Sequence, residues 1–208
     1  MKHPLFILIL FTLHTSLFTV ASAFRLPDSG QIKCYQAVSP YAEIPCAGTG
    51  QDGAYSINPL SYTNNGNGTV TDNNTGLMWQ RCSVGQNNDA TCSGPATTFA
   101  WYRASGTYDA SFNSSSLSVC GNLTWGGYSD WRLPGKKELM SIVDYAIPYP
   151  GQTISSAYFS NTVASGYWSS TTYANYPSYA WYVYFYNGHV GGNDKDYSNY
   201  VRCVRGGQ

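Results

Sequence analysis

Tyr179-Ala180-Trp181-Tyr182-Val183-Tyr184-Phe185-Tyr186-Asn187-Gly188 is the stretch that decides the fold class of this chain. Aromatic and β-branched residues fill it, and Asn-Gly closes it with the strongest hairpin signal in the sequence. As a strand over Tyr179–Tyr186 it places Trp181, Val183 and Phe185 on one face and Tyr182, Tyr184 and Tyr186 on the other. Both faces are aromatic, so one packs on a core and the other is covered or used. Tyr167–Thr172 reads as a preceding strand and Asn199–Val204 as a last one. Further back, Thr69–Thr71 and Leu77–Gln80 pair as a hairpin, with Asp72-Asn73-Asn74-Thr75-Gly76 supplying the positive-φ positions of the turn. Leu139, Ile142, Val143 and Ala146 recur at helical spacing behind Glu138. This predicts a helix over 135–145 that Pro148 ends. Phe99, Ala100 and Arg103 suggest a shorter helix within Thr97–Arg103, and Ser111–Ser118 reads as a loop. No repeat or linker divides the chain. We expect one α+β domain over 61–208, preceded by a loop-rich extension over 24–60 packed on it.

The first 23 residues carry Lys2, a mostly apolar run from Leu5 to Val20, and the small residues Ala21-Ser22-Ala23. This is the pattern of a secretory signal peptide; as a membrane anchor the run is too short and too rich in hydroxyls. The residue after the cut is Phe24, so the site gives no lipid anchor. The expected product is exported, whether periplasmic, cell-surface or secreted, with no membrane span after cleavage. Cleavage removes His3 and His14 and leaves His189 as the only imidazole.

Export sets the chemistry of Cys34, Cys46, Cys82, Cys92, Cys120 and Cys203. An even set in an oxidising compartment is a disulfide framework. Six cysteines allow 15 connectivities, and sequence alone does not choose among them. Short Pro-, Gly- and Asn-bounded loops favour Cys34–Cys46 and Cys82–Cys92, which leaves Cys120 with Cys203. Zinc fails on spacing, since no CxxC occurs, and oxidised sulfur is not a nucleophile.

Composition narrows function further. The 208 residues carry 11 basic and 11 acidic side chains, only 11% charged, with 16% aromatic and 19 tyrosines. A neutral, charge-poor chain lacks the basic field for nucleic acid or an anionic membrane surface. His189 sits beside a turn and reads as an exposed or ligand-touching residue. The close carboxylate pairs Asp194/Asp196 and Glu138/Asp144 lie in no recognisable catalytic context. No catalytic residues are assigned, and the chain is read as a non-enzyme.

Four ordered blocks carry a resemblance. They are Asp72-Asn73-Asn74-Thr75-Gly76-Leu77-Met78-Trp79-Gln80; Gly127-Tyr128-Ser129-Asp130-Trp131-Arg132-Leu133-Pro134 with Lys137-Glu138-Leu139; Tyr167-Trp168-Ser169-Ser170; and Val201-Arg202-Cys203-Val204-Arg205-Gly206. Together, over roughly residues 26–207, they resemble the Lcl C-terminal domain family, named for the C-terminal domain of bacterial collagen-like adhesins. The chain shows no collagen-like Gly-X-Y repeat. The resemblance implies a C-type-lectin-like fold, of the group that includes formylglycine-generating enzymes, with the N- and C-terminal strands together. A Cys120–Cys203 bridge suits that arrangement. Enzymes of the wider group need free late cysteines, and here the only late cysteine is Cys203. Trp79, Trp131 and Trp168 lie inside the family blocks and are expected in the core.

Residues 167–200 hold nine tyrosines among Asn, Ser and Gly, the composition of a paratope. It also resembles the variable ends of retroelement-diversified lectin-fold proteins. The expected function is a secreted or surface-exposed binding module for a glycan or protein outside the cell, in adhesion. Its site comprises Tyr173, Tyr176, Tyr179, Tyr182, Tyr184, Tyr186, His189, Asn193 and Asp194. The alternative is a structural protein of the bacterial cell envelope. No cofactor or metal is assigned. The Asn-rich turn at 72–76 and the pair Asp194/Asp196 suggest calcium, but the first lacks EF-hand spacing and two carboxylates are too few.

Overall fold

A computed structural model describes residues Arg25–Gly206; the expected signal peptide at 1–23 lies outside the described residues. The chain runs β1 (Cys34–Tyr35), β2 (Glu43–Ile44), a 3-10 turn (Asp52–Ala54), β3 (Tyr62–Asn64), β4 (Thr69–Asp72), β5 (Met78–Gln80) and β6 (Thr98–Ala100). There follow α1 (Trp101–Ser105), α2 (Lys136–Met140), β7 (Gly166–Thr172), β8 (Tyr179–Tyr184), β9 (His189–Asp194), β10 (Ser198–Tyr200) and β11 (Val204–Arg205). The result is an α+β domain dominated by strands. β1 and β2 form a small ribbon. The other strands form a four-stranded sheet, in the order β11-β5-β4-β3, and a five-stranded sheet, in the order β6-β10-β7-β8-β9. No helix among the described residues is long and apolar enough to cross a membrane.

The hairpin read around residues 72–76 forms, with Val70 opposite Trp79. Its turn is closed by Asp72, whose carboxylate accepts from Asn74 N at 3.0 Å and Thr75 Oγ1 at 2.7 Å, while Gly76 N returns to Asp72 O. The side-chain amides of the turn bond to the preceding segment: Asn73 Nδ2 donates to Ser61 Oγ and Asn74 Nδ2 to Pro59 O.

Three elements differ from expectation. The helix predicted over 135–145 stops at Met140. Beyond it the backbone is redirected, with Asp144 N donating to Thr153 O and Tyr145 N to Ser29 O, yet Ile142 and Val143 remain buried as their spacing requires. Within Thr97–Arg103, residues Thr98–Ala100 are strand and the helix begins only at Trp101, because this segment pairs with β10. The single strand expected over Asn199–Val204 is two, β10 and β11, in different sheets. Val201, Arg202 and Cys203 carry the chain between them.

That crossing is the centre of the molecule. One apolar cluster, including Trp79, Leu139, Ile142, Phe159, Tyr167, Val183 and Phe185, packs on one face of the five-stranded sheet. A second, including Trp101, Trp131, Trp168, Ala180 and Val201, packs on the other. Neighbours in sequence such as Tyr167 and Trp168 go to opposite clusters, as strand alternation demands. Arg202 is fully buried between the sheets. Its guanidinium donates to Gln80 O (2.9 Å), Arg81 O and Thr162 Oγ1 (2.7 Å), and lies 5.1 Å from the centre of the Phe159 ring. Burial lowers its pKa from the ordinary arginine value, and no carboxylate among the described residues pairs with it.

The three disulfides are Cys34–Cys46, Cys82–Cys92 and Cys120–Cys203, and no described cysteine is free. Their sequence separations are 12, 10 and 83 residues. On loop length, removing Cys120–Cys203 by double serine substitution costs about 4–5 kcal/mol, against about 3 kcal/mol for Cys34–Cys46. Urea midpoints of the two variants should fall in that order. Arg202→Met leaves the buried Gln80 carbonyl, the partly buried Arg81 carbonyl and the Thr162 hydroxyl without their donor. It should cost on the order of 3 kcal/mol or more in the same assay, and a near-native midpoint would show that the guanidinium is dispensable.

Candidate functional site

The bulge that builds the site lies in β7. Trp168 pairs with Tyr182 but the next partner pair is Thr172 with Ala180, so Ser169–Thr171 loop out of register. Ser169 Oγ donates to Trp181 O at 2.8 Å in place of a ladder bond. Ser170 N donates to Pro134 O and Lys136 N to Thr171 Oγ1. The bulge thereby ties the start of α2 to β8 and holds Lys136 Nζ 3.9 Å from the centre of the Trp181 ring.

Beyond β7 the chain makes a tight excursion. Tyr173 N donates to Tyr179 O, Tyr176 N to Tyr173 O and Tyr179 N to Tyr176 O. Lys195, itself buried, pins the loop by donating to Pro177 O at 2.8 Å while its ammonium sits 4.1 Å from the Trp101 ring centre; burial lowers its pKa. The loop's rings then stand in sequence: Tyr173 stacks parallel to Tyr176 at 5.7 Å and meets Trp181 edge-on at 4.5 Å, and Tyr176 is 6.1 Å from Tyr179. With Gly191 and Gly192 they line an open cleft of 460 Å³. Aromatic walls of this kind receive apolar faces, whether the C–H face of a sugar or a side chain, and the tyrosine hydroxyls orient polar groups.

The nine residues expected to form one site form two. The β8–β9 register sets Tyr179, Trp181, Gly192 and Asp194 on one face of the hairpin and Tyr182, Tyr184, His189, Gly191 and Asn193 on the other. Tyr173, Tyr176 and Tyr179 belong to the cleft. Tyr182, Tyr184 and Tyr186 form a ladder on the opposite face, with centroid spacings of 6.5 and 5.6 Å, extended by Tyr149 at 4.7 Å from Tyr186. The ladder is anchored where Tyr182 meets buried Trp168 edge-on and flanked by His189 at 6.3 Å. The Tyr186 phenol is held above its ordinary pKa, first by its hydrogen bond with Tyr149. Asn193 and Asp194 are drawn into local turns: Asn193 Oδ1 accepts from Asp194 N and Asp194 Oδ1 from Asp196 N. Among the described residues no three His, Cys, Asp or Glu side chains converge on a metal position.

Four contributors were missed in the sequence. Trp181 falls on one strand face with Val183 and Phe185; it shares that face but lies at its margin, half-buried, and is not among the nine. Lys136, Gly191 and Gly192 were not singled out. The signal at hand was Gly-Gly inside a strand, which marks a close approach or an open space beside the backbone. A second cleft, of 330 Å³, lies between Leu26–Ser29 and α2. None of the nine expected residues lines it.

The two glycines serve different ends. A Cβ on Gly191 would stand 2.9 Å from His189 Nε2 and 3.0 Å from the Tyr182 hydroxyl, whereas one on Gly192 would meet only ordinary contacts at 3.7 Å and beyond. Gly191→Ala should therefore displace the exposed His189 ring and the Tyr182 hydroxyl and cost about 1 kcal/mol or less. Gly192→Ala should be neutral or slightly stabilising, because alanine loses less chain entropy on folding. Thermal melts of the two variants check the contrast.

Residues of the four sequence blocks hold the scaffold around this hairpin. Arg132 forms a bidentate pair with Glu138 at 2.7 and 2.6 Å, and Arg205 one with Asp130 at 2.7 and 3.0 Å. Arg132 and Val204 exchange backbone bonds, and Trp79, Trp131 and Trp168 are buried. No curated protein matches the chain in sequence. The family profile described as the Lcl C-terminal domain matches residues 68–205, more than half of the chain, beginning later than the resemblance read from residue 26. With its blocks in order and placed in the scaffold, the chain belongs to the Lcl C-terminal domain family.

Proposed function

We propose that this chain is an exported, surface-exposed binding module that captures a glycan or protein ligand outside the cell, in adhesion, and that it is not an enzyme. The observation that carries this is the aromatic cleft of Tyr173, Tyr176, Tyr179 and Trp181, open on a rigid, disulfide-stapled scaffold. Tyr176 is 62% and Tyr179 37% exposed although both rings are ordered against neighbours; large rings held in place but left uncovered lose little entropy on binding. The family assignment is consistent with a surface-binding role. The pairing of all six cysteines supports export, since such a framework persists in oxidising compartments.

The fold is proposed to be C-type-lectin-like. In its favour, the two ends of the described chain meet at one turn: Arg25 N donates to Asn74 O, and Gly206 approaches Gly76 O. The non-enzyme reading rests on chemistry. Bonded sulfur offers no thiolate, and His189, exposed on β9 beside tyrosines, bonds to no nucleophile among the described residues.

A second reading, a structural part of the cell envelope, is favoured by one feature. Leu26, Ile32, Val38 and Ile57 in the N-terminal extension are each 65% exposed or more, a surface that suits contact with neighbours. Size-exclusion chromatography separates the two, because an assembly subunit would elute as a stable multimer.

Tyr176→Ala combined with Tyr179→Ala should abolish capture of ligands found on a glycan array or in a displayed-peptide selection. The melting temperature should move by only a few degrees, since both rings are exposed. Loss of fold would make them core residues, and unchanged capture would remove the cleft from the account.

A further inference from the structure

β9 is an outer strand of the five-stranded sheet, and one short window of its edge is open. The N–H and C=O of a strand residue leave on the same side, and successive residues alternate. In β8 the odd residues turn toward β7, since Tyr179 O accepts from Tyr173 N and Phe185 N donates to Ser165 O. The even ones turn toward β9, where Tyr184 O accepts from Gly188 N. By register, His189, Gly191 and Asn193 face β8, while Val190, Gly192 and Asp194 direct their backbone groups outward. The outer side is closed at both ends. Tyr145 donates its hydroxyl to Gly188 O at 2.9 Å, and Asp194 is taken by Asn193 Oδ1 and Tyr197 N. Between these points the N–H and C=O of Val190 and Gly192 have no partner among the described residues.

Both aromatic groups converge on this window. The cleft reaches it at Gly191 and Gly192 from one face, and Tyr182 and His189 lean over Gly191 on the other. Resting on the binding-module reading, we propose that the ligand is an extended segment of a partner protein that adds as a further strand to β9 across Val190–Gly192. Its side chains alternate between the two faces, so one enters the cleft while the next meets Tyr182 and His189. The residue in the cleft is apolar or aromatic and not cationic, because Lys136 already places its ammonium against Trp181. Gly192 keeps the entry clear, although neither its φ nor its packing demands glycine. A second copy of this chain fits less well. It would bring Val190, which packs on its own core, to the opening and leave the cleft unfilled. A glycan would use the rings but not the alternating amides.

The probe is a linear dodecapeptide phage library panned on the purified chain, with the best binder resynthesised carrying single backbone N-methyl groups. Methylation at alternate positions should weaken binding about tenfold or more, with little effect between them, as expected for hydrogen bonds made on one side only. The Val190 and Gly192 amides should slow in hydrogen exchange on binding. Gly192→Pro removes one outward donor while sparing the β8 ladder, and should reproduce the loss. The N-methyl series on the unaltered protein stands even where that variant misfolds. An empty panning, or tolerance of N-methylation along the whole peptide, overturns the proposal. Capture lost in the Tyr176/Tyr179 variant but kept in Gly192→Pro, or displacement of the peptide by a free glycan, overturns the edge while sparing the binding module. Capture altered by neither variant removes both. A dimer dissolved by Gly192→Pro would assign the edge to a second copy, against the proposal.

Discussion

A single buried guanidinium sits where the chain leaves one sheet for the other. Arg202 sits where the chain passes from β10 to β11, and its fork satisfies carbonyls that the end of β5 and the residue after it would otherwise bury unpaired. A buried cation without a carboxylate is costly unless its hydrogen bonds are good and its surroundings polarisable. Here backbone oxygens, the Thr162 hydroxyl and the Phe159 face supply that environment. Lysine could offer one point of charge but not the planar fork that reaches two successive carbonyls and a hydroxyl together. Cys203 follows at once, so the crossing is held by hydrogen bonds and by a covalent link to Cys120 at adjacent positions.

With the crossing fixed, the remaining family blocks fall into place as braces. Arg132 ties the segment before α2 to Glu138 and to Gly206 O, and Arg205 reaches back to Asp130 over the Tyr128 ring. The bulge at Ser169–Thr171 then passes the position of α2 on to β8. The β8–β9 hairpin is thus carried by residues that do not line the aromatic cleft.

How much of this was legible in the sequence depended on the range of the interaction. Local signals read well: the Asp72–Gly76 turn, the Asn187-Gly188 reversal and the alternation of β8 are each set within a few residues. The long disulfide followed once the two short loops were paired. Helix ends read poorly, because Ser29 and Thr153, remote in sequence, take up the backbone groups that would have continued α2 past Met140. The split of Asn199–Val204 was hidden for a similar reason, since nothing near Arg202 in sequence announces that its partners lie at residues 80, 81 and 162. For the candidate site, composition points to one hairpin but does not separate its two sides. Tyr179 and Tyr182 look alike in a list of tyrosines, and only the pairing with Gly192 and Gly191 separates them. Trp181 shows the limit of alternation, which tells which face a residue shares, not whether the core extends that far.

The 83-residue separation of Cys120 and Cys203 encloses more than a structural span. Every residue of the aromatic cleft, of the tyrosine ladder and of the β9 edge lies inside that covalent ring. A protease that cut the exposed tip around Asn175–Ser178 would open the backbone yet release no fragment, since both new ends remain tethered through sulfur. The proposed recognition surface is therefore one that a single cut at this tip does not shed.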